Sequence, residues 1–134
     1  MAEHFMQHGV FSWNELMTTD LNAAKAFYTK LFGWTFEESE MEGGGTYAMA
    51  KLGETMVGGL FAKPATMPGD IPPHWGAYVT VDDVDKAAEQ AVELGATIIY
   101  PLTDIPKVGR FCAIMDPQGA VIQMITYVKD LCCK

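Results

Sequence analysis

Hydrophobic and polar positions follow the same order twice along this chain. Residues 15–34, ELMTTDLNAAKAFYTKLFGW, and residues 78–97, YVTVDDVDKAAEQAVELGAT, have the same plan. Each runs from a short strand pattern through an aspartate and an alanine-rich amphipathic segment to a leucine and a glycine. The aspartates, Asp20 and Asp83, align when the two stretches are superposed. Such internal similarity predicts two copies of one supersecondary unit.

Each alanine-rich segment has the signals of a short helix. Asp20 and Asp83 stand at N-cap positions, where a carboxylate can accept from the free N–H groups of the first turn. Gly33 and Gly95 stand where a helix ends. Apolar residues at three- and four-residue steps predict a core-facing stripe on each helix. The stripes comprise Leu21, Ala24, Phe27, Tyr28 and Leu31 in the first helix, and Val84, Ala87, Ala88, Ala91 and Val92 in the second.

Three further strand-like stretches follow each helix. They are residues 34–40, 46–51 and 55–62 in the first half, and 97–100, 109–115 and 120–128 in the second. The pattern in each half therefore predicts the element order β-α-β-β-β. The fold class is α+β, in one domain over 1–134, with module one at about 9–62, a proline-rich linker at 63–74, module two at about 75–128 and a tail at 129–134. Neither module can close a core alone, and the sequence leaves open whether they pair within one chain or between chains.

Three segments carry a resemblance to a known family: FSWNELMTTDLNAAKAFYTKLFGW, WGAYVTVDDVDKAAEQAVELGA and GRFCAIMDPQGAVIQMI. Together with the tandem β-α-β-β-β order, they resemble the vicinal oxygen chelate superfamily of glyoxalases, bleomycin-resistance proteins and extradiol dioxygenases. The match is best to small glyoxalase-like proteins with W-x-E-L near the start. The resemblance implies a curved mixed sheet forming a U-shaped trough, with helices outside, and a homodimer.

The resemblance also implies a metal site, which this sequence does not support. In metal-using members the first and last strands of each module supply the ligands. The matching positions hold Trp13, Gly76, either Gly58 or Gly59, and Gln123. Indole and glycine offer no donor for a divalent cation, and a neutral amide is a weak one. We therefore expect no metal and no cofactor, and neither metal-dependent lactoylglutathione lyase nor extradiol dioxygenase activity.

Strand alternation identifies the first candidate site residues. If Trp13 faces the trough, Phe11 and Glu15 face it too, with Leu16 on the opposite side. A partly desolvated Glu15 carboxylate would have a raised pKa suited to a general base, unless a cation or a donor compensates. The alternative is a purely structural role, in which Glu15 stabilises the interface of the unit by hydrogen bonding to backbone donors or to an arginine. Phe11 and Trp13 would form an apolar ligand-binding wall, or ordinary core.

The second module supplies the other candidates. His74 is an acid–base candidate. It could also end the linker in solvent, lie in the trough as a polar contact, or act as a stray metal ligand. Tyr78 and Gln123 are wall residues that could orient a ligand. Arg110 could reach an anionic ligand or form a surface ion pair. His4 and His8 are interpreted as exposed residues of an N-terminal tail.

Composition narrows the functional classes. A formal net charge of −8, with only nine Lys and Arg residues, gives no basic face for nucleic acid. No apolar run approaches the roughly 18 residues that cross a bilayer, and the N-terminus lacks the pattern of a signal peptide, so we expect a cytoplasmic protein without membrane contact. Cys112, Cys132 and Cys133 do not form a disulfide framework. The remaining hypotheses are a small-molecule-binding protein that is a metal-independent enzyme, a non-catalytic sequestering or resistance protein, or a metabolite sensor.

Overall fold

The computed structural model describes residues 4–41, 44–64 and 71–129, except for the side chain of His4. In these residues a short 3-10 turn, His4–Met6, precedes eight strands and two helices. The first half contains β1 (Phe11–Thr18), α1 (Leu21–Phe32), β2 (Thr35–Glu40), β3 (Thr46–Leu52) and β4 (Thr55–Ala62). The second half contains β5 (His74–Thr80), α2 (Val84–Glu93), β6 (Thr97–Ile105), β7 (Gly109–Met115) and β8 (Val121–Tyr127). The predicted tandem β-α-β-β-β order is confirmed.

The chain divides into two compact units. The first unit is Asn14–Gly76, and the second combines the residues up to Trp13 with those from Ala77 onward. The first few residues of β1 therefore group with the second module, a detail that the sequence pattern did not indicate. Cys132, Cys133 and most of the predicted tail lie outside the described residues.

The first unit is a four-stranded mixed sheet with α1 on one face. Its strand order is β2-β3-β4-β1, with β1 parallel to β4 and the other neighbours antiparallel. The core between sheet and helix consists of four buried residues and the partly buried side chains that pack on them. These residues are Leu16, Ala48, Ala50 and Leu60, with Leu21, Ala24, Tyr28, Trp34, Phe36 and Val57 around them.

The second unit repeats this plan. Its strand order is β5-β8-β7-β6, with β5 parallel to β8 and the other neighbours antiparallel. Buried residues of the sheet and of α2 form its core: Val81, Val84, Ala88, Cys112, Ile114 and Met124.

The predicted helix caps are present. Asp20 Oδ1 accepts a hydrogen bond from the Ala23 N–H at 3.0 Å, and Asp83 Oδ1 accepts one from the Lys86 N–H at 3.2 Å. Gly33 ends α1 with φ 79°, a left-handed conformation that glycine adopts without strain. The local signals in the sequence were therefore sufficient to place both helices.

Two element predictions need correction. The stripe predicted for α1 included Phe27 and Leu31, but each has 57% of its surface exposed, and Val92 of the stripe predicted for α2 is 52% exposed. The strand predicted at 97–100 continues to Ile105, past Pro101. β6 is an edge strand with register irregularities on both sides of Tyr100. An edge strand tolerates a proline because a backbone nitrogen on its outer side has no neighbouring strand to donate to.

The N-terminal segment is not a free tail. The Gly9 N–H donates to the Thr80 carbonyl at 2.7 Å, and the Thr80 N–H donates to the Val10 carbonyl at 2.9 Å. His8 is exposed, as expected, but its Nδ1 accepts from the Asp82 N–H at 2.9 Å. Among the helices of the described residues, we find none with the length and apolar character required to span a bilayer.

Candidate functional site

The register of the first unit decides which residues share the sheet face opposite α1. Leu16, Ala48 and Leu60 pack against α1, so their strand neighbours point the other way. β1 pairs with β4 through Glu15 and Gly59, and β3 pairs with β4 through Met49 and Gly59. Glu15, Gly59 and Met49 therefore form one row across this face, and Glu15 and Leu16 lie on opposite faces as predicted.

Glu15 is held by a tyrosine that the sequence reasoning did not identify. The Tyr47 hydroxyl donates to Glu15 Oε2 at 2.8 Å, and both side chains are half-buried. The Tyr47 ring also stacks on Phe61 of the neighbouring strand, with ring centroids 6.5 Å apart. The hydroxyl is the kind of donor that stabilises a carboxylate, so Glu15 has a fixed orientation rather than free rotamers.

Gly59 makes this arrangement possible. A Cβ atom at Gly59 would lie 1.8 Å from the Tyr47 hydroxyl oxygen and 2.2 Å from its Cζ. The phenol therefore passes directly over the Gly59 backbone to reach Glu15. Gly58 lies on the opposite, α1 side, because it pairs with the core residue Ala50. Of the two glycines considered from the sequence, Gly59 is the one on the face that carries Glu15.

The residues present do not fit the metal site that the resemblance implies. At Gly59 there is no ligand side chain, and the Tyr47 phenol fills the space that such a side chain would need. Trp13 and Gly76 offer no side-chain donor for a divalent cation. Within the described ranges, no three His, Cys, Asp or Glu side chains are grouped so that they could hold a metal ion. Metal-free status stays a prediction, to be checked by metal analysis.

In the second unit, Tyr78 and Gln123 are neighbours in the β5–β8 register. They lie on the face opposite α2, since Met124, the next residue of β8, belongs to the α2 core. Gln123 Nε2 donates to the Ala77 carbonyl at 3.2 Å. Tyr78 is only 5% exposed, and its ring lies 5.9 Å from that of Phe111. Both residues thus form a packed wall that carries two polar groups, the Gln123 carboxamide and the Tyr78 hydroxyl.

Arg110 lies on the other side of that sheet. Its Nε donates to Asp85 Oδ1 of α2 at 2.8 Å, and its Nη1 donates to Asp104 Oδ1 at 3.2 Å. These hydrogen bonds raise the pKa of the guanidinium further above its ordinary value. Arg110 thus forms the surface ion pair that was one of its two predicted alternatives, and its guanidinium is directed towards α2 rather than towards the face of Gln123.

The remaining candidates are exposed or part-buried. His74 begins β5 in solvent, with Nδ1 2.9 Å from the Pro72 carbonyl oxygen, and among the described residues it makes no bond to Glu15. Phe11 is 67% exposed, whereas Trp13 is half-buried. The structure therefore brings together Glu15, Tyr47 and Gly59 in one unit and Tyr78 and Gln123 in the other.

Tyr47 was missed because its contact spans three strands. Two signals pointed to it. In TYAMAKL, the small residues Ala48 and Ala50 alternate with Tyr47 and Met49, which indicates one face packed under a helix and one open face. The glycine at position 59, inside a strand, indicates a close approach by another group. Only the register identifies that group as the Tyr47 ring.

Comparisons with known proteins address the family. A family model described as Glyoxalase/Bleomycin resistance protein/Dioxygenase superfamily matches residues 3–124. The chain is 40% identical over 117 residues to a Mycobacterium tuberculosis protein named "Putative glyoxylase CFP32", a match that covers 87% of this chain and 45% of that protein. It is 28% identical over 123 residues to the "Anthracycline biosynthesis protein DnrV" of Streptomyces peucetius, covering 84% of this chain and 45% of that protein. The chain thus spans under half the length of these relatives.

Solved structures share the fold at low identity. A methylmalonyl-CoA epimerase from Mycobacterium tuberculosis superposes with a TM-score of 0.66 at 16% identity, covering 100% of both chains. A homoprotocatechuate 2,3-dioxygenase variant from B. fuscum superposes with a TM-score of 0.59 at 21% identity, covering 90% of this chain and 34% of the dioxygenase. These likenesses confirm the predicted fold class and carry no statement about activity.

Proposed function

Because the chain belongs to the Glyoxalase/Bleomycin resistance protein/Dioxygenase superfamily, we propose that it binds a small, partly apolar molecule, without a metal ion, on the sheet face that carries Glu15. The observation that carries this proposal is the hydrogen bond from Tyr47 to Glu15 across Gly59. It presents a fixed carboxylate and a phenol beside Met49 and Phe61. A few oriented polar groups within an apolar lining are typical of small-molecule sites.

The lining favours a planar ligand. The aromatic rings of Tyr47 and Phe61 lie nearly parallel, with an interplanar angle of 18°. Methionine side chains adapt to irregular apolar surfaces, and Met49 supplies one on this face. The name of one relative, an anthracycline biosynthesis protein, is consistent with an aromatic ligand class. Within the second unit taken by itself, we propose Tyr78, Gln123, Trp13 and Phe11 as ligand-contacting residues.

The enzymatic form of the proposal assigns proton transfer to Glu15. The carboxylate would take a proton from the bound molecule onto an oxygen atom and return it to the product, while the Tyr47 hydroxyl holds the other oxygen. His74 is the second acid–base candidate and would act only with a ligand that extends to the start of β5. The alternative is a sequestering or sensing protein, for which the same face binds the molecule unchanged.

Two substitutions test this site. Metal-stripped wild-type protein is titrated with a panel of planar aromatic fragments, followed by ligand-observed NMR. We expect Glu15→Gln and Tyr47→Phe to weaken binding, whereas Glu40→Gln, an exposed glutamate of β2, serves as the matched control. Binding that is unchanged in Glu15→Gln, or that appears only when a divalent metal is restored, would contradict the proposal. Once a turnover is known, loss of turnover with binding retained in Glu15→Gln supports catalysis over sequestration.

Two further proposals concern partners, the first from family membership and the second from the charge of the chain. We propose that the chain forms a homodimer, and that it needs neither nucleic acid nor a membrane to function. The acidic net charge of −8 supports the second proposal, because it repels both polyanions and anionic lipid surfaces. Light scattering after size-exclusion chromatography tests the first, and retention on heparin or on anionic vesicles would contradict the second.

A further inference from the structure

Helix α1 has apolar residues on two sides, although only one side packs on its own sheet. Leu21, Ala24 and Tyr28 contact the core of the first unit. On the outward side, Phe27 and Leu31 each leave 57% of their surface in solvent. An exposed Phe and Leu one turn apart on one helix are not required by the fold of this unit, and such patches mark interaction sites.

Helix α2 shows that the fold does not need an outward phenylalanine at the position of Phe27. The stretches aligned through Asp20 and Asp83 place Lys86, Gln90 and Glu93 where α1 has Ala23, Phe27 and Lys30. All three α2 residues are exposed and polar, as expected of a solvent-facing helix side. Phe27 is therefore particular to α1, whereas Leu31 aligns with Leu94 of the second unit, which is 70% exposed as well.

The second unit contains a groove of matching character. Between α2 and β6 lies an open cavity of about 370 Å³. Its floor is apolar, and two carboxylates stand at its edge. The floor consists of Ala88, Val92, Ile98, Pro101 and Leu102, and the edge of Asp85 and Glu89.

The charges of the two surfaces are complementary. α1 carries Lys25 and Lys30 and no acidic residue, in a chain whose net charge is −8. Lys25 already pairs with Glu38 of its own unit. At the groove, Asp85 is occupied by Arg110, whereas Glu89 forms no ion pair among the described residues. One lysine beside an apolar stripe thus matches one glutamate beside an apolar groove.

We propose that the α2–β6 groove binds helix α1 of a second copy of this chain. Phe27 and Leu31 would cover the floor at Val92 and Leu102, and Lys30 would approach Glu89. The contact joins two different surfaces, so it closes as a two-fold pair when each copy offers its helix to the groove of the other, and extends into a chain of copies when it does not. The surfaces are distinct from the Glu15 face, since the outward side of α1 is directed away from the sheet. Loss of association would therefore leave the ligand site intact.

Sedimentation velocity over a concentration series tests the proposal with two defective variants. Phe27→Gln installs on α1 the residue that α2 has at the aligned position, and Val92→Glu places a charge on the groove floor. We expect each to weaken self-association on the order of tenfold or more, as loss of an anchor residue does. Leu52→Gln, which removes another exposed apolar side chain, and Gln90→Glu, which adds the same charge to the outer side of α2, are the matched controls.

Mixing the two defective variants distinguishes this contact from others. An equimolar mixture of Phe27→Gln and Val92→Glu retains one intact helix–groove contact, so it should associate more strongly than either variant alone. Wild-type protein that stays monomeric at high concentration would overturn the proposal, as would a Val92→Glu variant that associates normally. If circular dichroism shows that either variant does not fold, a charge exchange between Lys30 and Glu89 replaces that variant. Lys30→Glu should weaken association and Glu89→Lys in the same chain should restore it, and failure of this rescue would also overturn the proposal.

Discussion

Replacing Gly59 by alanine separates the contact between Tyr47 and Glu15 from the rest of the fold. The added Cβ would lie 1.8 Å from the Tyr47 hydroxyl oxygen and 2.7 Å from its Cε2. Contacts this short do not occur, so either the Tyr47 ring swings away or the strands separate. The ring is the end of a side chain and moves more easily than the backbone of β4. We therefore expect Gly59→Ala to break the hydrogen bond to Glu15 and to preserve the sheet.

The cost can be estimated from the contacts that are lost. A hydrogen bond to a charged group contributes about 1.5–3 kcal/mol. An extra methyl group in a packed site costs about 1–3 kcal/mol when its neighbours can adjust. Because the two effects share one movement of the Tyr47 ring, they do not add fully, and we expect the free energy of unfolding to fall by about 2–3 kcal/mol.

Urea denaturation followed by circular dichroism measures this change, and a double-mutant cycle assigns it. In a Tyr47→Ala background the obstructing ring is absent, so Gly59→Ala should be close to neutral. We expect a coupling energy of at least about 1 kcal/mol between the two positions. A Gly59→Ala variant within about 0.5 kcal/mol of wild type, or one with the same cost in both backgrounds, would refute the reasoning.

Three other predictions concern the frame around the site. Leu60→Ala should cost about 2–5 kcal/mol in urea denaturation, because Leu60 is fully buried beneath α1 and the cavity cannot close. Asp83→Ala should cost about 1 kcal/mol by removing the acceptor for the Lys86 N–H, whereas Glu93→Ala at the far end of α2 should change little. Burial raises the pKa of the Cys112 thiol above its ordinary value of 9.0. Above pH 9.0 the thiol ionises in the unfolded chain before it ionises in the folded protein. The stabilisation from the buried neutral thiol is therefore complete below pH 9.0 and is lost as pH rises through the folded pKa. Urea denaturation at alkaline pH should show a steeper loss of stability in wild type than in Cys112→Ala.

The fold was predictable because its signals are local. Asp20 and Asp83 lie three residues before the N–H groups that they cap. Alternation along β1 also placed Glu15 and Leu16 on opposite faces. Each of these features depends on neighbours in sequence, and the physical rule that links residue to structure acts over a few positions.

The site was predictable only in part because it depends on register. Glu15 was identified from its own strand, but Tyr47 lies 32 positions later and reaches it across β4. A shift of one residue in that pairing would turn Tyr47 to the α1 side. Arg110 shows the same limit. It shares a sheet face with the core residue Cys112, two positions later, but its proximity to Asp85 appears only once β7 and α2 are packed. The outward direction of Phe27 likewise follows from packing, since a three- and four-residue periodicity fits a wide stripe as well as a narrow one.

Glu15, held by Tyr47 over Gly59, is the residue that we propose to bind a small molecule without a metal ion. A thermal-shift screen of planar aromatic metabolites on metal-stripped protein, with wild type and Glu15→Gln in parallel, tests it most directly. We expect at least one compound that raises the melting temperature of wild type in the presence of a chelator and has little effect on Glu15→Gln. Stabilisation that requires added zinc, nickel or iron, or that is equal in the two proteins, would contradict it.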